Sequence, residues 1–230
     1  MGPAMSGPSS PLPIFQKIPW LAVLDQASLA ELEAATRLYT FEPNEVVLLE
    51  GDEPRFLFIV QAGWLKAIKL SPEGREQILD FLGPGQVANL APIFAEQPSP
   101  ATLIALEAAQ LWTIEQPPLL NLLAREPAMA RIVIRFLASR LIYTISLIED
   151  LSLRSVTARL AKMLVMHAQQ SDQQVLSRRR WATQAEIAAR LGTVPDVAQR
   201  ALRSLADEGL LEVTRQQIII RDLEGLKHKF

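Results

Sequence analysis

The side chains best equipped for polar recognition crowd into the last third of this 230-residue chain. Residues 178–203 hold Arg178, Arg179, Arg180, Gln184, Gln199, Arg200 and Arg203, with the hydroxyls of Thr183 and Thr193 among them. Guanidinium forks and carboxamides bind phosphate oxygens and the edges of bases. The charge follows the same division. Residues 1–152 contain 10 Lys+Arg and 17 Asp+Glu, whereas residues 153–230 contain 13 and 8. A basic end on an acidic chain is the footprint of nucleic-acid contact, with chance unevenness as the alternative. Other chemistries lack their reagents. There is no cysteine, which removes disulfides, thiolate catalysis, Cys-ligated zinc and iron–sulfur clusters and fits a reducing cytosol. The two histidines are His167 and His228. No catalytic set, metal site or cofactor motif is expected. No apolar run of about 18 residues suggests a membrane span, and "MGPAMSGPSSPLP" lacks the basic start and apolar core of a signal peptide.

The elements around these side chains are legible from caps and period. Thr183, with Glu186 three residues on, opens a helix as a capping box, and Gly192 stops it after about two turns. Thr193 with Asp196 suggests a second capping box, with Pro195 in the first turn, where a missing N–H costs little. Ile187, Ala188, Leu191, Val197, Ala201 and Leu205 supply apolar contacts, Gly209 ends the second helix, and "LLEVT" and "QIIIR" form a hairpin around "RQQ". Helix, glycine turn, helix, hairpin predicts a winged helix-turn-helix. "SVTARLAKMLVMHAQQ" before it is an amphipathic helix capped by Ser155, on which His167 reads as structural. "RRRW" at 178–181 is either a phosphate contact or a solvated run anchored by Trp181.

From Pro127 the period is that of one long helix. Ala130, Ile134, Leu137, Leu141, Thr144, Ile148 and Leu151 recur at steps of four and three, an a/d seam. Met129, Val133, Phe136, Tyr143 and Leu147 form a second stripe. Two apolar faces need two partners: the chain's own barrel and the same helix of a second copy, or burial within a monomer. Upstream, "RLYTF", "VVLL", "FLFIVQ", "WLKAIKL", "QILDFL", "ATLIAL" and "QLWTI" alternate with turn signals and predict a jelly-roll type β-roll. "SLAELEAA" predicts a short helix capped by Ser28 with Glu31 in reciprocal position, and the Pro/Ser-rich start predicts a disordered lead-in. The expected α+β organisation is therefore a lead-in over 1–18, a β-roll over 19–126, a dimerisation helix over 127–152 and a winged helix-turn-helix over 153–230.

In this order of parts the chain resembles the Crp/Fnr superfamily of bacterial transcription regulators from residue 19 on. The resemblance rests on Gly51-Asp52 after a strand, "FIVQAGWLKAI", "SPEGREQILDFLGPGQ" and the TxxEIAxxLG…VxxAxRxLxxLxxEGLL pattern. It implies a cytoplasmic homodimer that binds an inverted repeat in double-stranded DNA, contacts RNA polymerase, and carries a sensor for a small molecule. Family members that bind cyclic nucleotides hold the ribose with a glutamate and the phosphate with Arg-Ser, in the loop matching residues 85–102. Here those positions fall on Asn89, Ser99 and Pro100, and Glu96 is the loop's only ionisable residue. A buried phosphate without a cation costs several kcal/mol, so cAMP and cGMP are not expected ligands. Asn89, Ser99, Thr144 and Arg140 remain as polar candidates for an effector pocket, Arg140 being open to a solvated or ion-paired role. A weakly charged or apolar effector, or none at all, fits equally.

For DNA, the resemblance places Arg200 on a base-reading arginine and Asp196 on a base-reading glutamate, while a second family arginine falls on Pro195. An ion pair between Arg200 and Asp196 is the alternative. Gln199 suits adenine or phosphate, and Thr183, Gln184, Thr193, Arg203, Arg178 and Arg179 suit phosphates. A cupin-type metal enzyme would share the β-roll but needs histidines on its strands, and none precedes His167. A ligand-free scaffold beside a constitutive DNA-binding half is the other alternative.

Overall fold

"FLFIV", at residues 56–60, explains the layering of the N-terminal half. Leu57 and Ile59 turn to one side and Phe58 and Val60 to the other, and all four are buried. A strand covered on both faces reads as a continuous apolar run rather than an alternating one. The computed structural model describes residues 4–5, 10–171, 175–177 and 183–230. In chain order its elements are β1 (Ala4–Met5), α1 (Leu12–Phe15), α2 (Gln26–Ala34), β2 (Thr36–Phe41), β3 (Val46–Leu48), β4 (Phe56–Ala62), β5 (Leu65–Leu70), β6 (Glu76–Leu82), β7 (Val87–Ala88), α3 (Leu90–Ala95), β8 (Thr102–Ala105) and β9 (Ala109–Glu115). They continue with α4 (Gln116–Arg125), α5 (Pro127–Leu153), α6 (Val156–Ser171), β10 (Val175–Ser177), α7 (Gln184–Leu191), α8 (Pro195–Asp207), β11 (Leu211–Val213), β12 (Gln217–Ile220) and α9 (Leu223–Lys227).

The chain divides into two units, one running to Lys69 and taking in Leu79–Leu141, the other comprising Leu70–Ile78 and Ile142–Phe230. In the first, one sheet has the order β1-β2-β9-β4-β7 and a second sheet has the order β3-β8-β5-β6. Phe41, Phe58, Val60, Leu65, Leu103 and Leu111 fill one core, contributed by both sheets. On the other face of the first sheet, Leu38, Leu57, Ile59, Trp112 and Ile114 pack with helical residues, among them Leu32, Leu119, Leu122, Met129 and Val133. Gly63 turns the chain from β4 to β5 at φ +78°, and a Cβ there would lie 2.5 Å from the Ala108 carbonyl oxygen. Position 63 therefore needs glycine for both conformation and space.

Two expectations for this unit are corrected. Residues 11–18 are not a disordered lead-in: Ile14, Phe15 and Ile18 are buried in the helical core. The Pro/Ser composition masked three apolar anchors. Helix α2 is capped by Asp25, whose carboxylate accepts from Ser28 N–H at 2.8 Å, and not by Ser28. That bond holds the Asp25 carboxyl below its ordinary value. Ser28 instead lies in the helix, buried, and its hydroxyl donates to Glu126 at 3.1 Å, while Glu31 pairs with Arg125. Helix α4, which opens with two prolines in its first turn, was not foreseen.

The second unit has its own core. Leu160, Leu164 and Val165 of α6 meet Ile187 and Leu191 of α7, Ala198, Leu202 and Leu205 of α8, Ile218 and Ile220 of β12, and Leu226 of α9. The wing sheet has the order β10-β12-β11, so the expected hairpin gains a third strand from Val175–Ser177. Ser155 caps α6 through its hydroxyl, which accepts from Ala158 N–H at 3.2 Å. Near the junction of α5 and α6, Asp150 takes Lys162 Nζ on one carboxylate oxygen at 2.5 Å and Arg154 Nε on the other at 2.8 Å.

Helix α5 runs unbroken for 27 residues. Of the second stripe, Met129 and Val133 are buried, whereas Phe136 and Tyr143 are exposed. The a/d seam lies largely open: Ile134, Leu141, Ile148 and Leu151 are all exposed.

Candidate nucleic-acid interface and sensor loop

The polar side chains of residues 183–203 are held by two short helices. At the start of α7, Thr183 Oγ1 accepts from Glu186 N–H and Glu186 accepts from Thr183 N–H, both at 3.2 Å, closing the expected capping box. Thr183→Ala is expected to lower stability by about 1 kcal/mol, which a denaturant titration measures. Gly192 ends the helix at φ +63°, a conformation that L side chains avoid.

The second expected capping box does not form. Helix α8 begins at Pro195, and its N-cap is Val194 with no side-chain bond. Proline at the first helical position forces the residue before it into extended backbone, and Val194 has φ −100° and ψ 155°. Thr193 is therefore one residue too early to cap. The correction frees Asp196, whose carboxylate stands exposed in the first turn.

Helix α8 buries Ala198, Ala201, Leu202 and Leu205. At helical spacing this turns Asp196, Gln199, Arg200 and Arg203 to the opposite side, where Asp196, Arg200 and Arg203 are exposed and Gln199 is half-buried. Asp196 and Arg200 do not pair, and among the described residues Arg200 has no hydrogen-bond or ion-pair partner. Gln184, on the first turn of α7, donates from Nε2 to Gln199 Oε1 at 2.8 Å. Sequence reasoning assigned these glutamines separately; their pairing across 15 residues has no local signal. Thr183 is exposed and Thr193 half-buried. Arg178 and Arg179 lie outside the described residues.

His167 sits half-buried on α6, not on the polar face of α8. Burial holds its imidazole below the ordinary value of 6.5, with the Arg190 charge acting the same way and a backbone bond at Val175 opposing. The unfolded chain thus takes up this proton at a higher pH than the folded one, so stability falls as pH drops through the interval between the two values. Thermal melts at about pH 7.5 and about pH 5 should show a larger acid loss for wild type than for His167→Gln.

In the first unit, the polar side chains of the loop after β7 are largely engaged by backbone groups, most of them in residues 51–56. Asn89 enters α3 in the left-handed region at φ 66°, and its Nδ2 donates to Phe56 O at 2.9 Å. Its buried Oδ1 has no hydrogen-bond partner among the described residues. Ser99 is buried with every polar group engaged: N–H to Asp52 O at 2.9 Å, C=O from Gly51 N–H at 2.8 Å, and hydroxyl to Ala101 O at 2.9 Å. Arg140 on α5 pairs with Asp80 on β6 at 2.6 Å, the ion-paired alternative. Thr144 belongs to the second unit and is exposed. The loop's one carboxylate, Glu96, is exposed at the C-terminal end of α3.

Comparison with known proteins agrees with this architecture. The cyclic nucleotide-binding domain family matches residues 38–126, and the Crp-like helix-turn-helix domain family matches residues 158–229. The chain belongs to the Crp/Fnr family of transcription regulators. It is a Crp-like DNA-binding regulator with a cyclic-nucleotide-binding-like sensor domain, a long helix and a C-terminal winged helix-turn-helix. A CRP-like cAMP-activated global transcriptional regulator of Mycobacterium tuberculosis (strain ATCC 25618 / H37Rv) is 26% identical over 209 residues, 90% of this chain and 93% of that protein. An anaerobic regulatory protein of Haemophilus influenzae is 25% identical over 207 residues, 88% of this chain and 80% of that protein. Relatives with such different names match almost equally, so overall identity does not select a signal. The structure of FixK2 from Bradyrhizobium japonicum superposes with a TM-score of 0.74 at 20% identity, covering 84% of this chain and 96% of that one. Among the described residues no helix is long and apolar enough to cross a membrane.

Proposed function

We propose that this regulator acts as a cytoplasmic, non-enzymatic homodimer on inverted-repeat DNA, contacting RNA polymerase, with a sensor tuned to something other than a cyclic nucleotide. Its working parts are a β-roll over 19–126, a dimerisation helix over 127–152 and a winged helix-turn-helix over 153–230. One observation carries the DNA reading. The outward face of α8 presents Arg200, unpaired among the described residues, beside Gln199 and Asp196, anchored by a well-packed helix pair. Thr183, Thr193, Arg203, Arg178 and Arg179 serve phosphates around it. Two such helices, related by a dimer axis, enter successive major grooves about 34 Å apart. Selection of bound sequences from randomised duplexes tests this. An inverted repeat with that spacing is expected, and recovery of sequences without twofold symmetry overturns it.

The sensor proposal follows from the loop's chemistry. With no cation among Asn89, Ser99 and Pro100, a cyclic phosphate would be buried uncompensated. Calorimetry with cAMP and cGMP is expected to show no binding at micromolar concentrations, and a micromolar dissociation constant for either overturns the proposal. Ser99, whose polar groups are all engaged, favours a second reading, in which the roll is a ligand-free scaffold and DNA binding is constitutive. Purified protein would then bind its operator equally well with and without cell extract.

A further inference from the structure

The bond between Gln184 Nε2 and Gln199 Oε1, 2.8 Å long, changes what Gln199 can read. Resting on the DNA-binding function proposed above, we infer that Gln184 is a positioning residue. It fixes the Gln199 amide with its NH2 outward, so that Gln199 reads hydrogen-bond acceptors on a base edge.

A free glutamine suits adenine because both ends of its amide are used: Nε2 donates to N7 while Oε1 accepts from the N6 amino group. Here Oε1 is already engaged from inside, by a side chain rooted in the first turn of α7. Both glutamines are half-buried, so their chains have limited room to swing away. The bond turns Oε1 inward, with one lone pair still open, and leaves Nε2 as the outward end. In the major groove guanine offers two acceptors, O6 and N7, thymine offers O4, and adenine offers N7 beside its N6 donor, whereas cytosine offers only its N4 donor. A donor held outward therefore favours guanine or thymine and rejects cytosine. The neighbours complete a pattern. Asp196, one turn towards the N-terminus and free of any cap, presents only acceptors, and Arg200 presents only donors. The exposed face thus reads as acceptor, donor, donor. Gln184 contributes to this pattern without touching a base, and it is not a phosphate anchor.

Site selection with the full-length protein on duplexes with randomised half-sites tests the inference. Wild type should show one position poor in cytosine and distinct from the position lost in Arg200→Ala. Gln184→Ala frees Oε1 for the N6 amino group, so adenine should gain on the order of tenfold at that position, with the rest of the consensus unchanged. Gln184→Glu presents only acceptors to its neighbour. Gln199 must then turn its amide round and present Oε1, so adenine and cytosine should both gain there. Because each consensus is read relative to its own mean affinity, the added negative charge does not obscure the shift. If Gln184→Ala weakens every sequence alike, the residue is a phosphate anchor and the inference fails. An unchanged consensus in both variants overturns it as well. Absence of any sequence preference in wild type would instead remove the DNA-reading function on which it rests.

Discussion

Leu141→Glu is expected to convert a stable dimer into monomers at micromolar concentration. Leu141 is 62% exposed in the single chain, and Ile134 on the same seam is 66% exposed. A helix that leaves a row of leucine and isoleucine in water has its partner elsewhere. In a parallel pair, position 141 would lie close to the twofold axis, so the substitution sets two carboxylates against each other in a desolvated seam. The penalty is several kcal/mol, more than a single leucine contact contributes. Leu153→Glu is the matched control, since it adds the same charge to the same helix off the seam of Ile134, Leu137, Leu141, Thr144, Ile148 and Leu151. Sedimentation should show a dimer for wild type and for the control. A wild-type monomer overturns the assembly, and a dimeric Leu141→Glu moves the interface elsewhere.

Arg200→Ala should weaken operator binding by roughly 1–3 kcal/mol per half-site and relax one guanine in each half-site. Arg203→Ala, with the same loss of charge one turn further along the exposed face, should instead weaken all sequences alike and reduce the slope of affinity against salt. The contrast isolates base reading from electrostatics. An Arg200→Ala consensus with undiminished information content would mean that α8 does not lie in the groove as proposed.

What the sequence made legible was local. Seven strands, the long helix and both helices of the DNA-binding motif follow from periodicity, glycine punctuation and one intact capping box. Its errors share a physical origin. The pattern Ser/Thr-x-x-acid marks an expected helix start at Ser28, Thr183 and Thr193, but of these three only Thr183 caps. Asp25 outcompetes Ser28 by capping one residue before α2, and Pro195 fixes the start of α8 so that Val194 must be the N-cap. The buried anchors Ile14, Phe15 and Ile18 hid within a Pro/Ser-rich start. β10 is only three residues long, and its pairing with β12 is a long-range event. The Gln184–Gln199 bond and the Arg140–Asp80 pair join residues distant in sequence, and no window of local pattern contains them. Of the effector candidates, the structure shows Asn89 and Ser99 bonded to backbone and Arg140 to a carboxylate, which composition could not foretell.

The Asp150 carboxylate, gripped by Lys162 and Arg154, gives the junction of α5 and α6 a mechanical character. A glycine hinge would let the two helices swing at little cost. Here relative movement must first separate a pair whose members, Asp150 and Lys162, are only 13% and 20% exposed, at a cost on the order of a few kcal/mol. Lys162 also donates to Ser146 at 3.2 Å, one turn further back on the long helix. Torque on the last turns of α5 is therefore passed to α6 with little slack, as a key turns with its shaft.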